Sequence, residues 1–416
     1  MTKNYSSKLD ELCRKDSSYY LNSIDLIAAS NFLRPEIANL TAYKIHRSME
    51  GLLDKRPYAG TKYLNEIEKI GVEAAKKLFK VEYVNIQPHS GSQANQIAYS
   101  AFLEPGDRVL SMKFDNGGHL THGNPINFSG KFYKFAFYEI DPKTQQIDYK
   151  EIEDKAKEYK PKMIVVGASS YPRIINYELV GKIAKKYGAY FMADIAHPIG
   201  LIVAGKHPSP AEFADVITGS TEKTFWGPHS GIIMGKLIHQ KRIDRAVHPG
   251  VQSSVPIDRI IQVGKSILFA GTLKFKKYIE TIMENAKVLE SAFQKIPNCL
   301  QFGGTDCHFI VINVKSGFGI TGLEAEKTLE NLGIFTNRQV IPGECNKVYI
   351  TSGLRIGTTS ATGMGYCPKE FKKIAEIMVT SLTDIDNSRL QNQLKKETRM
   401  LIDKHLKGTV AFWALF

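Results

Sequence analysis

Apolar positions recur along this chain with two different periods. A polar amphipathic opening, residues 1–22, leads into the apolar stretch from Ile24 to Ala29. Ile67, Ile70, Gly71, Ala74 and Leu78 then recur at helical spacing, which predicts one helix over roughly 63–79. Beyond it, short apolar or β-branched runs at 83–87, 108–112, 163–167, 190–194, 216–218 and 231–235 alternate with helical patterns. Runs this short and this apolar read as buried strands. Strands that alternate with helices imply a mainly parallel sheet with helices on both faces, an α/β fold.

After Lys265 the rhythm changes. Tyr278, Ile282, Ala286, Leu289 and Phe293 mark a long helix that links two domains. A strand at 309–314, a helix near 324–332, short strands around 348–350 and 354–357, and a helix from Pro368 to about Asp386 predict a smaller C-terminal α+β domain. The expected division is an N-terminal arm (1–55), a large domain (56–270) and a small domain (271–416). The closing AFWALF is apolar and has no assigned role.

The 416 residues exceed one small domain, and 43% hydrophobic with 23% charged residues is the make-up of an ordinary globular protein. No apolar run approaches the ~20 residues of a bilayer helix, and MTKNYSSKLDELCRK lacks the apolar core of a signal peptide, so a cytoplasmic location is expected. Cys13, Cys299, Cys307, Cys345 and Cys367 are an odd number without a CxxC pair, which argues for reduced thiols. The net charge of +13 is dispersed over lysine pairs in separate helical patterns, interleaved with acids. Solvated helix faces explain it better than a nucleic-acid groove.

Ligands of open α/β sheets bind beyond the carboxyl ends of the strands. The first strand is followed by PHSGSQAN, residues 88–95, a turn whose free N–H groups with the Ser90 and Ser92 hydroxyls suit a phosphate. An ordinary serine N-cap is the plainer alternative. The strand at 190–194 ends on Asp194, with His197 three residues on. That carboxylate reads as a metal ligand, as a helix cap, or as the acid that keeps a pyridinium nitrogen charged. The strand at 216–218 runs into Gly219-Ser220-Thr221-Glu222-Lys223-Thr224, where Lys223 becomes a candidate Schiff-base lysine. Its neighbour Glu222 would favour a protonated Schiff base if it pointed inward, whereas strand alternation predicts that it faces away in a structural role, the preferred reading. Gly117-Gly118-His119 offers a ring able to stack on a flat cofactor, while His119 with His122 as a metal pair lacks a third ligand.

Together these segments resemble serine hydroxymethyltransferases, pyridoxal-phosphate enzymes of the aspartate-aminotransferase fold type, through PHSGSQAN, LEPGDRVL, GGHLTHG, NFSGKFY, DIAHPIGLIVAG and TSGLRIGT in order. The resemblance implies a seven-stranded, mainly parallel sheet in the large domain, and pyridoxal 5'-phosphate as cofactor with tetrahydrofolate as cosubstrate. It also implies a homodimer, or a tetramer, with shared active sites and no membrane or nucleic-acid partner. It assigns Lys223 to the Schiff base, Asp194 to the pyridine nitrogen and His119 to stacking. His197 and Ser169 fall near the ring oxygen, and Ser90, Gly91, Ser92 and Ser220 in the cofactor site. Arg355 matches the arginine for the substrate carboxylate, Glu50 the acid/base carboxylate, and Tyr58 a tyrosine contributed by the neighbouring subunit.

Departures from the family pattern gather on the substrate side. Glu222 stands for a histidine, His229 for an arginine, and Ala29-Ser30-Asn31 for Ser-Glu-Asn. Ser48 and Pro57 stand for tyrosines, Ser253-Ser254 for a phosphate-binding glycine pair, and Gln339 for an asparagine facing the pterin. The resemblance implies cleavage and formation of the Cα–Cβ bond of a β-hydroxy amino acid, with folate-dependent serine–glycine exchange as the leading reading. A threonine aldolase or transaldolase using an aldehyde is the alternative, favoured by Ser48, Pro57 and Gln339 and opposed by Glu50 and Tyr58. A catalytically idle binding relative is opposed by the retained Lys223 and Asp194.

Overall fold

The computed structural model describes residues 2–38, 50–344 and 346–414. Ser48 and Cys345 lie outside them. Strands β1 (Ile24–Asp25), β2 (Tyr83–Asn85), β3 (Arg108–Met112), β4 (Lys134–Tyr138), β5 (Met163–Val166), β6 (Tyr190–Asp194), β7 (Val216–Ser220) and β8 (Gly231–Gly235) are followed by β9 (Phe309–Asn313), β10 (Ile334–Phe335), β11 (Asn337–Gln339) and β12 (Gly353–Gly357). Seven of them form one sheet in the order β2-β8-β7-β6-β5-β3-β4. Only β8 runs against the rest. This is the mainly parallel α/β sheet expected, and it brings the carboxyl ends of β2, β6 and β7 to one edge.

Three local differences have physical reasons. Strand β4 carries no strong apolar signature in the sequence, because this edge strand, KFAFY, keeps four of its five residues incompletely buried. The strand expected around 348–350 is a turn, closed by bonds from the Ile350 and Thr351 N–H groups to Lys347 O at 2.8 and 3.0 Å. The edge of β12 is taken instead by β11. A helix Ser388–Ala414 follows Pro368–Thr383 and buries Leu394 and Ile402 in the second core. It runs into the AFWALF segment, whose side chains lie outside the described set.

The helix Leu273–Phe293 ties two cores together. Phe275, Ile279 and Ile282 pack with the large sheet, whereas Leu289 and Phe293 pack among Ile310, Ile312, Leu354 and Phe371. Ile24 and Leu26 of the N-terminal segment join this second core, and β1 pairs in parallel with β10. The antiparallel trio β11-β12-β9 thereby holds Arg355, in the middle of β12, against the end of the large sheet.

Close backbone approach sets the turn after β2. The Gly231 N–H donates to Pro88 O at 2.8 Å, and a Cβ on Gly231 would stand 2.2 Å from Ser90 O. Gly231→Ala should therefore displace the 88–92 turn and cost about 1–3 kcal/mol as an overpacking change. The midpoint of urea unfolding measures it, and an unchanged midpoint would contradict the tight approach.

Candidate active site

A cavity of about 410 Å³ opens at the carboxyl ends of β2, β6 and β7. Ser90, Gly91, Ser92, His119, Ser169, Asp194, His197, Ser220, Lys223 and Arg355 all line it, as do Asn95, Glu222 and His229. Residues from across the chain thus meet within a volume suited to a small cofactor with substrate.

At one end the helix Gly91–Phe102 begins. Ser90 caps it by accepting the Gln93 N–H at 3.1 Å, so the first N–H groups and the positive helix end face the cavity. A Cβ on Gly91 would sit 3.0 Å from Ser220 Cβ, and the Ser220 hydroxyl is buried without a hydrogen-bond partner. An orphaned hydroxyl beside a helix start fits a phosphate group.

Asp194 ends β6 and is 8% exposed, so its ionisation needs partners. Oδ2 lies 3.1 Å from His122 Nε2 and accepts from Asn95 Nδ2 at 2.8 Å, while Oδ1 accepts from the Ala196 N–H at 3.0 Å. Burial alone would raise this carboxyl, but the His122 and Asn95 hydrogen bonds and the His119 ring outweigh it and hold it well below the usual range. Asn95 also donates to Thr121 Oγ1 at 2.8 Å and accepts from the Thr218 hydroxyl at 2.6 Å. Thr121 then meets His119 Nδ1 at 2.7 Å, and its N–H donates to the same nitrogen at 3.2 Å, which leaves the His119 proton on Nε2. Burial pushes His119 down to about 4, so the ring is neutral at pH 7. Gly117, at φ +112°, brings it there: a Cβ would stand 2.7 Å from Tyr171 N, and Gly117 O accepts the Ser169 N–H at 2.7 Å.

On the opposite side Arg355 donates to Ser169 O at 2.6 Å, to Ser169 Oγ at 3.2 Å and to Asn337 Oδ1 at 3.2 Å. Burial lowers it to about 10, which leaves a full cation at pH 7. Burial likewise pushes the Lys223 amine down, against the pull of Glu222 and Asp194. The Asn31 amide donates to Lys223 O at 2.9 Å and to Tyr278 Oη at 2.8 Å, bracing the loop. Behind His197, His308 Nε2 stands 3.3 Å from His197 Nδ1 and 3.1 Å from Ala28 O. A carbonyl only accepts, so that nitrogen of His308 carries its proton and His197 Nδ1 is the acceptor.

Glu222 does not face away. Alternation holds only within extended strand, and β7 ends at Ser220, so the following loop turns Glu222 into the cavity. Glu50, Tyr58, Ser253 and Ser254 do not line this cavity. The Tyr58 hydroxyl donates to Glu50 Oε2 at 3.0 Å, and His248 Nε2 lies 3.4 Å from Oε1. The Tyr58 bond, with help from His248 and Ser253, lowers the Glu50 carboxyl. His119 and His122 are committed to Thr121 and Asp194, and the described residues hold no group of three or more metal-ligating side chains. Asn95, Thr121, Thr218 and His308 escaped the sequence reading. Asn95 alone carried a signal, standing three residues after Ser92 on the same helix face.

Burial lowers His308 to about 3, below its ordinary 6.5. As pH falls, the unfolded chain takes up this proton first, so the stability His308 contributes is present above 6.5 and is lost between 6.5 and about 3. His308→Gln should flatten the acid limb of stability against pH by up to one proton, about 1.4 kcal/mol per pH unit. Urea unfolding at several pH values measures this, and an unchanged slope would contradict it.

Residues 2–378 match the sequence profile of the family described as Serine hydroxymethyltransferase. The chain is 44% identical over 407 residues to the serine hydroxymethyltransferase of Mycoplasma capricolum subsp. capricolum, covering 97% of this chain and 98% of that protein. It is 43% identical to that of Mycoplasma mycoides subsp. mycoides SC over 96% and 97% of the two chains. With that of Mesoplasma florum the identity is 41% over 91% and 92%. Similarity of this extent leaves no major part of the fold unmatched, and the chain belongs to the serine hydroxymethyltransferase family.

Proposed function

We propose that the protein converts serine and tetrahydrofolate to glycine and methylenetetrahydrofolate, using pyridoxal phosphate to break and form the Cα–Cβ bond of a β-hydroxy amino acid. The observation that carries this reading is the meeting of a helix-start anion site, a buried ionised carboxylate, a recessed lysine and a buried guanidinium in one cavity. The relatives named for this reaction match over nearly their whole length, which favours it over an aldehyde-using aldolase.

The donor set fits the cofactor. Gly91, Ser92 and Ser220 would hold its phosphate, Asp194 its ring nitrogen, His119 one ring face, and His197 with Ser169 the ring oxygen. Lys223 would carry it covalently. When bound, it supplies an electron-withdrawing ring that stabilises negative charge at the substrate α-carbon.

The chain's own residues do the rest. Asp194 stays ionised through its hydrogen bonds, and would so favour a proton on the cofactor's ring nitrogen. Arg355, tethered by Ser169 and Asn337, meets the substrate carboxylate as a cation already in position. Lys223, its pKa depressed by burial, is readied as an amine nucleophile. Glu50 takes and returns the hydroxyl proton, kept ionised by the Tyr58 hydroxyl.

Glu50, Tyr58, Ser253 and Ser254 lie apart from the Lys223 cavity of their own chain, which supports a homodimer in which each subunit completes its partner's site. In this reading residues 1–55 are the arm, 56–270 the large domain with the cofactor groups, and 271–416 the small domain that contributes Arg355. The small-molecule chemistry is consistent with a cytoplasmic enzyme, and no helix among the described residues is long and apolar enough to cross a membrane.

Incubation with serine tests the reaction. Glycine formation should rise at least tenfold with tetrahydrofolate, whereas equal cleavage of threonine isomers without folate would favour the aldolase. Mixing Lys223→Ala with Glu50→Gln chains tests the shared site. Random exchange makes half the dimers mixed, each with one intact site, so about a quarter of wild-type activity should return. No recovery after confirmed exchange would refute sharing.

A further inference from the structure

The loop after β7 carries a pair that the proposed reaction does not use. Glu222 precedes Lys223 and lines the same cavity. Its Oε1 lies 3.5 Å from His229 Nδ1, with the His229 side chain 68% exposed at the rim and that of Glu222 19% exposed. Its Oε2 is buried and has no hydrogen-bond partner. A carboxylate oxygen left this way is costly unless a cation balances it. Asp194, the other carboxylate of the cavity, is already tied to His122, Asn95 and the Ala196 N–H.

We propose that Glu222 is a positioning residue that serves as counter-charge to the Lys223 amine, and that the His229 ring at the rim modulates this balance through its contact with Glu222. The role rests on Lys223 being the cofactor lysine. The remaining groups around the pair are few. Asp194 from β6 adds to the pull of Glu222 on Lys223, and Arg355 from β12 opposes it. The His119, His197 and His308 rings near Lys223 are all held neutral by burial. His229 also faces Arg259 from the helix Ile257–Ala270, which with Lys223 disfavours its proton.

The Glu222 carboxylate outweighs these two cations and the ring's partial burial, and raises His229 from its ordinary value. Below the His229 pKa the pair is an imidazolium and a carboxylate, and its net charge is zero. Above it, the Glu222 charge is no longer balanced at the rim and acts on Lys223 alone. The amine therefore becomes more basic as His229 loses its proton, which links a solvent-exposed ring to a recessed nucleophile.

Competitive labelling of the cofactor-free protein with acetic anhydride, read at Lys223 by peptide mass, reports the amine's titration directly. Glu222→Gln should lower the Lys223 pKa by about one unit, giving roughly tenfold more label at a fixed pH below it. His229→Gln should leave that pKa in place and remove the inflection that the His229 titration adds to the labelling profile. An unmoved pKa in folded Glu222→Gln, or an inflection that survives His229→Gln, overturns the role. Should Glu222→Gln fail to fold, the His229→Gln profile decides alone. Borohydride fixation of pyridoxal phosphate in the loaded wild type tests the underlying reading separately. Attachment at a lysine other than Lys223 overturns that reading while leaving the labelling result intact.

Discussion

The ionised carboxylate of Asp194 is the constraint on which the site is built. A charge at the end of a buried strand survives only if its oxygens are supplied with donors, and here three elements supply them. His122 comes from the loop after β3, Asn95 from the helix after β2, and the Ala196 N–H from the turn after β6 itself. Asn95 is the hinge of this arrangement, because its two amide hydrogens go to Asp194 and Thr121 while its oxygen accepts from Thr218. No freedom remains to flip it without losing bonds in a region of low dielectric. The same chain of bonds sets the proton on His119, so one buried charge dictates both the base of the cavity and its aromatic wall.

Around that anion the cavity collects cations and neutral rings. Arg355 keeps its charge because a guanidinium resists deprotonation even when buried, whereas burial pushes the Lys223 amine down against the pull of Glu222 and Asp194. Burial keeps the His119, His197 and His308 rings neutral, which spares the site further positive charge and leaves their ring nitrogens with fixed donor and acceptor roles. The polar groups are thus arranged before any ligand arrives, and their orientation is not a cost at the moment of reaction.

The second core matters because of where it delivers Arg355. The helix Leu273–Phe293 contributes side chains to both cores, and Ile24 and Leu26 bind the N-terminal segment to the smaller sheet. Arg355 stands in the central strand of that sheet, paired on both sides, and reaches across to Ser169. A buried cation of the cavity is therefore held by rigid strand rather than by a loop.

By itself the sequence determined the succession of buried strands, the α/β class, and the residues at the strand ends: the turn at 88–92, Asp194, and Lys223 among hydroxyls. These were legible because apolar runs mark strands locally and because an open parallel sheet gathers its chemistry at one edge. Only the tertiary structure decided how those residues are held. The Asn95–Asp194, His197–His308 and Arg355–Ser169 contacts join positions 99, 111 and 186 residues apart, and no local pattern records such pairings. It also decided that Glu222 turns inward, because strand alternation ends with the strand, and that Glu50 and Tyr58 gather apart from the lysine of their own chain. Local periodicity specifies which face of an element is apolar, whereas the partner of a polar side chain is settled by packing that brings distant segments within 3 Å or so.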